Sequence, residues 1–127
     1  MSSIRTGIDV CGLILVDSGW HAFYAEDFTE SVLRQAFHTS HPPESENGPL
    51  RVYAQRTALN RHEARWGCLV VHGWLMGDGE FLEGIVQWWG KLLKELGERQ
   101  VEVRQGFLQV GPLGQKVIQV NHLGERS

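Results

Sequence analysis

The sequence predicts a single α+β domain over residues 1–127, in which a mainly antiparallel sheet packs against two helices on one face. A chain of this length corresponds to one domain. Strand-like segments occur in pairs joined by short turns, which favours antiparallel neighbours. Two segments with helical periodicity separate these pairs, and a two-layer sandwich is the simplest way to bury the apolar side of all of them.

The first half of the chain predicts two strands, a helix and a loop. Residues 8–16 form a nearly continuous apolar run that is too short for a typical helix, and they predict a central strand. Residues 20–24 follow a turn signal and predict a second strand, paired in a hairpin. Residues 25–38 predict a helix with acidic residues in its first turns and an apolar face. The polar, proline-containing residues 38–49 predict a mobile surface loop.

The second half predicts two strand pairs around a longer helix. Residues 50–56 and 66–74 predict one pair, and residues 101–110 and 116–120 predict a closing hairpin with a bulge at Gly106. Asp78 is expected to cap a helix that ends near Glu98. If residues 20–24 do not form a strand, the alternative is a ferredoxin-like β-α-β-β-α-β order with an extra edge strand.

Composition limits the classes of partner and the cellular location. Twelve basic and fifteen acidic residues give a net charge of −3, which argues against general binding to nucleic acid or to a membrane surface. The sequence shows neither a signal-peptide pattern nor an apolar run of about 20 residues, so we expect a cytoplasmic protein without a membrane partner. Cys11 and Cys68 lie in apolar runs and are expected to be buried free thiols.

The second helix carries the clearest indication of a function. Its apolar positions cover more than one stripe, so the helix either lies deep in its own core or contacts another chain through a flank centred on Trp88. Tryptophan is enriched at interface hot spots, and the chain has five. We therefore expect a non-enzymatic interaction module that forms a homodimer, as an inhibitor, an immunity-type protein or an accessory subunit would. The expected interface residues are Ile85, Trp88, Trp89 and Leu92.

A second hypothesis is a small enzyme or ligand-binding domain. Asp17 and His21 flank a glycine turn, and together with His72 they would line a cleft in which a carboxylate orients a histidine base. Residues 69–74 resemble the His-Gly segment of α/β-hydrolases, which helps to form an oxyanion hole. That family also requires a Gly-x-Ser-x-Gly motif, which this sequence lacks, so the resemblance does not extend to a hydrolase activity.

A third hypothesis is anion or nucleic-acid binding by the strand pair between residues 50 and 66. Arginine and aromatic side chains together suit phosphates and bases, although the acidic balance of the chain makes nucleic acid the less favoured partner. The arginines concerned are Arg51, Arg56, Arg61 and Arg65. His38 and His41 have a spacing that can bind zinc but fall in the predicted loop, so no metal or cofactor is expected.

Overall fold

A computed structural model describes residues 6–17, 30–56, 66–112 and 118–121. In chain order the elements are β1 (Thr6–Asp17), α1 (Glu30–Thr39), β2 (Glu44–Ser45), β3 (Gly48–Pro49), β4 (Arg51–Arg56), β5 (Trp66–Gly77), α2 (Gly79–Glu98), β6 (Glu102–Pro112) and β7 (Ile118–Asn121). Five strands form an antiparallel sheet in the order β4-β5-β1-β6-β7. The α+β class, with an antiparallel sheet and two helices in a two-layer arrangement, is confirmed.

The central strand β1 divides the sheet into a buried and an exposed face. Successive side chains of a strand point to opposite faces. On one side of β1 lie the buried residues Ile8, Val10, Ile14 and Val16, and on the other side lie Asp9, Cys11, Leu13 and Leu15, which are exposed. Both helices contribute to the same core as the first set. We call the second side the open face of the sheet, because neither described helix packs on it.

Helix α2 begins at a capping residue and packs on the sheet through one tryptophan. Asp78 caps the helix as predicted, because its carboxylate accepts a hydrogen bond of 2.9 Å from the backbone N–H of Phe81. The Trp89 ring lies directly on Gly12 in β1, where an added Cβ atom would come within 2.7 Å of the indole. Glycine at position 12 therefore allows the helix to approach the middle of the sheet closely.

Helix α1 packs beside α2 through a second tryptophan. The Phe37 and Trp88 rings meet edge to face with their centroids 6.0 Å apart. Trp88 Nε1 donates a hydrogen bond of 2.8 Å to Ser40 Oγ, which in turn donates to the carbonyl oxygen of Phe37. A buried polar chain thus connects the end of α1 to the middle of α2.

Residues 38–49 contain a short hairpin where the sequence predicted a mobile loop, so that prediction was wrong in its structural detail. Strands β2 and β3 pair with each other, and Ser45 Oγ accepts a hydrogen bond of 3.0 Å from the backbone N–H of Met76. The pairing of β4 with β5 ends at the Arg51–His72 pair. The hairpin therefore lies along the part of β5 that β4 leaves without a neighbour.

The predicted bulge is present in β6 but two residues away from Gly106. Gly106 pairs regularly with Ile14, whereas the register shifts where Leu15 pairs with Gln105 and Val16 pairs with Val103. Arg104 is the extra residue, and its guanidinium forms an ion pair of 3.3 Å with Asp17. A bulge changes the direction of a side chain. Here it directs Arg104 toward the buried carboxylate of Asp17.

Two expectations lie outside the described residues. The strand predicted at residues 20–24 belongs to the undescribed segment between β1 and α1, so the ferredoxin-like alternative, which depends on it, stays a prediction. The hairpin connection predicted near residues 59–62 is outside them as well. In the described part of the chain, neither helix is both long enough and apolar enough to cross a bilayer.

Candidate functional site

The open face carries the large apolar side chains that the described part of the chain leaves exposed. These are Tyr53 at 62% exposure, Trp74 at 47%, Leu13 at 40% and Leu15 at 36%. All four belong to neighbouring strands and share one side of the sheet. Scattered exposed apolar residues are ordinary, whereas several of them grouped on one face make that face the candidate for an interaction surface.

Strand register aligns part of these side chains into a continuous row. Tyr53 pairs with Val70, Val70 with Leu13, and Leu13 with Phe107, so the row crosses four strands. Leu15 lies in the next row, beside the uncharged residues Gln55, Cys68 and Gln105. We call Tyr53, Val70, Leu13, Phe107 and Leu15 the apolar band. In the described part of these two rows, no side chain is charged.

A cleft lies on the same face, nearer the start of β1. Its volume is about 640 Å³. The sheet supplies its floor and the β2–β3 hairpin supplies one wall, through Asn47 in its turn and Pro49 in β3. The other side chains that define it are Asp9, Cys11, Arg51, His72, Trp74 and Gln109.

His72 lines the cleft from β5. It pairs with Arg51 on β4 and with Cys11 on β1, so side chains from three strands meet in one row. Its imidazole stacks on Tyr53 with ring centroids 6.0 Å apart and planes within 8° of parallel. The stack thus joins a ring of the cleft to a ring of the apolar band.

The structure separates Asp17 from His72, and this corrects the predicted catalytic cleft. Asp17 pairs with Trp66, whereas His72 pairs with Cys11. Cys11 and Asp17 are six residues apart along β1, which corresponds to about 20 Å. Asp17 is buried against Arg104 instead. His21 lies outside the described residues, and Asp9 is the carboxylate that the structure places in the cleft with His72.

The structure places all four expected interface residues of α2 inside the chain's own core. Ile85, Trp89 and Leu92 have no exposed surface, and Trp88 is 3% exposed. The sheet and α1 cover the two apolar stripes of the helix, so these side chains offer no surface to a partner. The exposed apolar surface lies on the open face of the sheet, on the opposite side from the helices.

The predicted arginine cluster is only partly within the described residues. Arg51 lies on the open face and lines the cleft. Arg56 ends β4, but its side chain is not described, and Arg61 and Arg65 lie outside the described residues. The structure therefore assigns one of the four arginines to the candidate site.

The two loop histidines do not form a metal site with a third ligand in the described part of the chain. His38 belongs to the last turn of α1, where its ring meets Phe37 edge to face at 5.3 Å. His41 follows the helix with a φ of 57°. Across residues 6–17, 30–56, 66–112 and 118–121, no three histidine, cysteine or carboxylate side chains are grouped as metal ligands.

Both cysteines are free thiols, but the expectation that they are buried was wrong. Cys11 is exposed and Cys68 is half-buried, and both belong to the open face. Cys68 pairs with Leu15, four residues from Cys11 along β1. Their Cα atoms are thus about 14 Å apart, too far for a disulfide, which needs less than about 7 Å.

The chain matches no model of a known protein family, no curated protein and no solved structure.

Proposed function

We propose that the protein is a small cytoplasmic interaction module that self-associates, with the apolar band of one copy packed on the apolar band of a second. The observation that carries this proposal is the grouping of the exposed large apolar side chains on the open face. Burying such side chains stabilises an association by roughly 25 cal/mol per Å² of apolar surface removed from water, before the entropic cost of association is subtracted.

The lack of charge in the band favours a second copy over a charged partner. Nucleic acid and acidic or basic proteins are recognised by an excess of opposite charge. The two rows that contain Tyr53, Leu13 and Leu15 have uncharged side chains in their described part. A two-fold symmetric interface uses the same patch on both subunits, so the patch must complement itself. An uncharged apolar patch meets that condition.

The whole open face, with the apolar band at its centre and the cleft beside it, is large enough for a modest interface. Five strands spaced about 4.8 Å apart span roughly 24 Å, and seven residues of strand extend roughly 23 Å. The resulting planar area is on the order of 550 Å², and side-chain relief increases the accessible area. Standard interfaces bury about 800 Å² per partner, and transient ones bury less. We therefore expect a reversible dimer.

Light scattering on matched variants tests this proposal. Leu13→Lys and Tyr53→Lys place a charge in the band at positions that the free chain leaves exposed, so the monomer should keep its fold. Gln87→Lys makes the same change of charge on the exposed side of α2 and is the control. Molar mass is measured from about 1 μM to about 1 mM, a range that covers transient interfaces.

We expect the wild type and Gln87→Lys to approach twice the monomer mass at the upper end of the range, while both band variants remain monomeric with unchanged far-UV circular dichroism. A wild type that stays monomeric throughout would overturn the proposal. A folded Leu13→Lys variant that dimerises as the wild type does would also overturn it.

A further inference from the structure

The cleft beside the apolar band is an open groove with the volume of a small-molecule site. Its volume of about 640 Å³ lies within the range of about 300–1,000 Å³ that is typical of ligand pockets. Gly111, which pairs with Asp9 of the open face, lines it without a side chain, which leaves room above that strand. The Trp74 indole lies across β1, because a Cβ atom at Gly7 would overlap the ring. Glycine at position 7 thus lets the indole rest on the sheet, at the side of the cleft.

Two opposite charges in the cleft have no partner in the described part of the chain. Asp9 and Arg51 are both exposed, and neither forms an ion pair with a described residue. Strand β5 lies between them, and they are offset by two residues along the strands, so their Cα atoms are about 12 Å apart. A ligand that satisfies both must carry a cationic and an anionic group separated by several ångströms.

The remaining side chains indicate what connects these two groups. Trp74 keeps 47% of its surface exposed and offers a flat apolar surface on which a ring can stack. Asn47 and Gln109 each bring a side-chain amide, which can both donate and accept hydrogen bonds. An amide of this kind pairs well with a peptide group.

From this combination we propose that the cleft binds a small aromatic zwitterion of dipeptide size, whose carboxylate pairs with Arg51, whose ammonium pairs with Asp9 and whose ring stacks on Trp74. Arginine suits the carboxylate because its planar guanidinium donates two parallel hydrogen bonds. A mononucleotide of similar size fits less well, because its phosphate brings more negative charge than one arginine balances and Asp9 repels the surplus.

The proposal does not depend on self-association through the apolar band. The band and the cleft use different side chains, and a monomer with a functional cleft is as consistent with the geometry as a dimer. A dimer that covers the open face also covers the cleft, so the ligand titration is run at concentrations at which light scattering gives the monomer mass. A failed light-scattering experiment and a failed ligand titration are then separate results.

Calorimetric titration of the full chain with a panel of aromatic dipeptides provides the test. The panel contains glycyl-phenylalanine, phenylalanyl-glycine and tryptophanyl-glycine, each also with an acetylated amino end and with an amidated carboxyl end. We expect saturable binding of at least one free dipeptide, and a loss of about tenfold in affinity when either charged end is blocked, since each block removes a charge-assisted hydrogen bond. AMP should bind more weakly than that dipeptide.

Two charge-neutralising variants assign the ends of the ligand. Arg51→Gln should abolish the preference for a free carboxylate and leave the preference for a free amine. Asp9→Asn should do the reverse. Arg34→Gln, an exposed arginine of α1 on the other layer, should behave as the wild type.

Three results would overturn the proposal. They are no saturable binding across the panel, binding that is indifferent to both end blocks, and tighter binding of AMP than of any dipeptide. Variants Arg51→Gln and Asp9→Asn that retain the wild-type preferences while folded would overturn the assignment of the two ends.

Discussion

Two adjacent tryptophans of α2 have opposite hydrogen-bonding states although the sequence presents them as equivalent. Trp88 Nε1 donates to Ser40 Oγ at 2.8 Å, whereas Trp89 Nε1 is buried with no acceptor in the described part of the chain. Sequence periodicity predicted that both positions are apolar. It gave no information on the acceptor, because Ser40 lies 48 residues away from Trp88 along the chain.

This difference predicts unequal effects of the same substitution. Trp88→Phe removes ring volume together with a buried hydrogen bond, which contributes about 1 kcal/mol to stability. Trp89→Phe removes similar volume but also removes an unpaired buried N–H, whose desolvation costs about 1–3 kcal/mol. We expect urea unfolding to show that Trp88→Phe lowers the free energy of unfolding by about 2–4 kcal/mol more than Trp89→Phe does, because the two hydrogen-bond effects have opposite signs. An equal or larger loss for Trp89→Phe would contradict this assignment.

The contacts of Trp88 and Trp89 also explain why the interface predicted on α2 is buried inside the chain. A wide apolar surface on a helix is equally compatible with a partner chain and with two layers of the same chain. Trp89 contacts Gly12 of the sheet and Trp88 contacts Phe37 of α1. The sheet therefore covers one apolar stripe of α2, and α1 covers the other. Sequence alone gives the apolar positions but not the number of their neighbours.

At the scale of the element, the sequence predicted the residue that caps the start of α2 but not the motif that ends the helix. Asp78 caps the start through a local contact three residues away, which sequence reasoning can find. At the end, the backbone N–H of Gln100 donates to Gly97 O, and that of Val101 donates to Leu96 O. This pattern is a Schellman motif, and it places Gln100 in the left-handed region with a φ of 60°.

Glycine normally occupies that position, because a Cβ atom is strained there. We therefore expect Gln100→Gly to raise the free energy of unfolding by about 0.5–1 kcal/mol, as the relief of strain exceeds the added entropy of the unfolded chain. Gln100→Ala keeps the Cβ atom and should give no such gain, so the two variants are compared by chemical unfolding. A Gln100→Gly variant less stable than the wild type would contradict the role given to this φ angle.

Strand β1 shows why the sequence did not predict an exposed face of the sheet. Residues 8–16 form a nearly unbroken apolar run, which is typical of a strand buried on both faces. The structure buries one face only, and Leu13 and Leu15 supply the apolar residues on the other. Apolar residues at exposed positions concealed the two-residue alternation. Those same residues are the main indication of a binding surface.

At the scale of the whole molecule, the fold class can be predicted from local sequence patterns, whereas the candidate site cannot. Paired strands and periodic helices are local patterns, and they were sufficient to predict the α+β class. The site depends on register across the sheet, because Arg51, His72 and Cys11 come from three strands. The predicted grouping of Asp17 with His72 failed for that reason, since antiparallel pairing places Asp17 at the far end of β5, opposite Trp66.

The measurement that tests self-association through the open face most directly is the alkylation rate of Cys11, followed by mass spectrometry over the concentration range of dimer formation. Cys11 is a free, exposed thiol on this face, two residues from Leu13. We expect its rate of reaction with iodoacetamide to fall as the molar mass rises toward that of a dimer. In the Leu13→Lys variant the rate should stay constant. A rate that does not change while the wild type dimerises would show that the copies meet through another surface and would contradict the account.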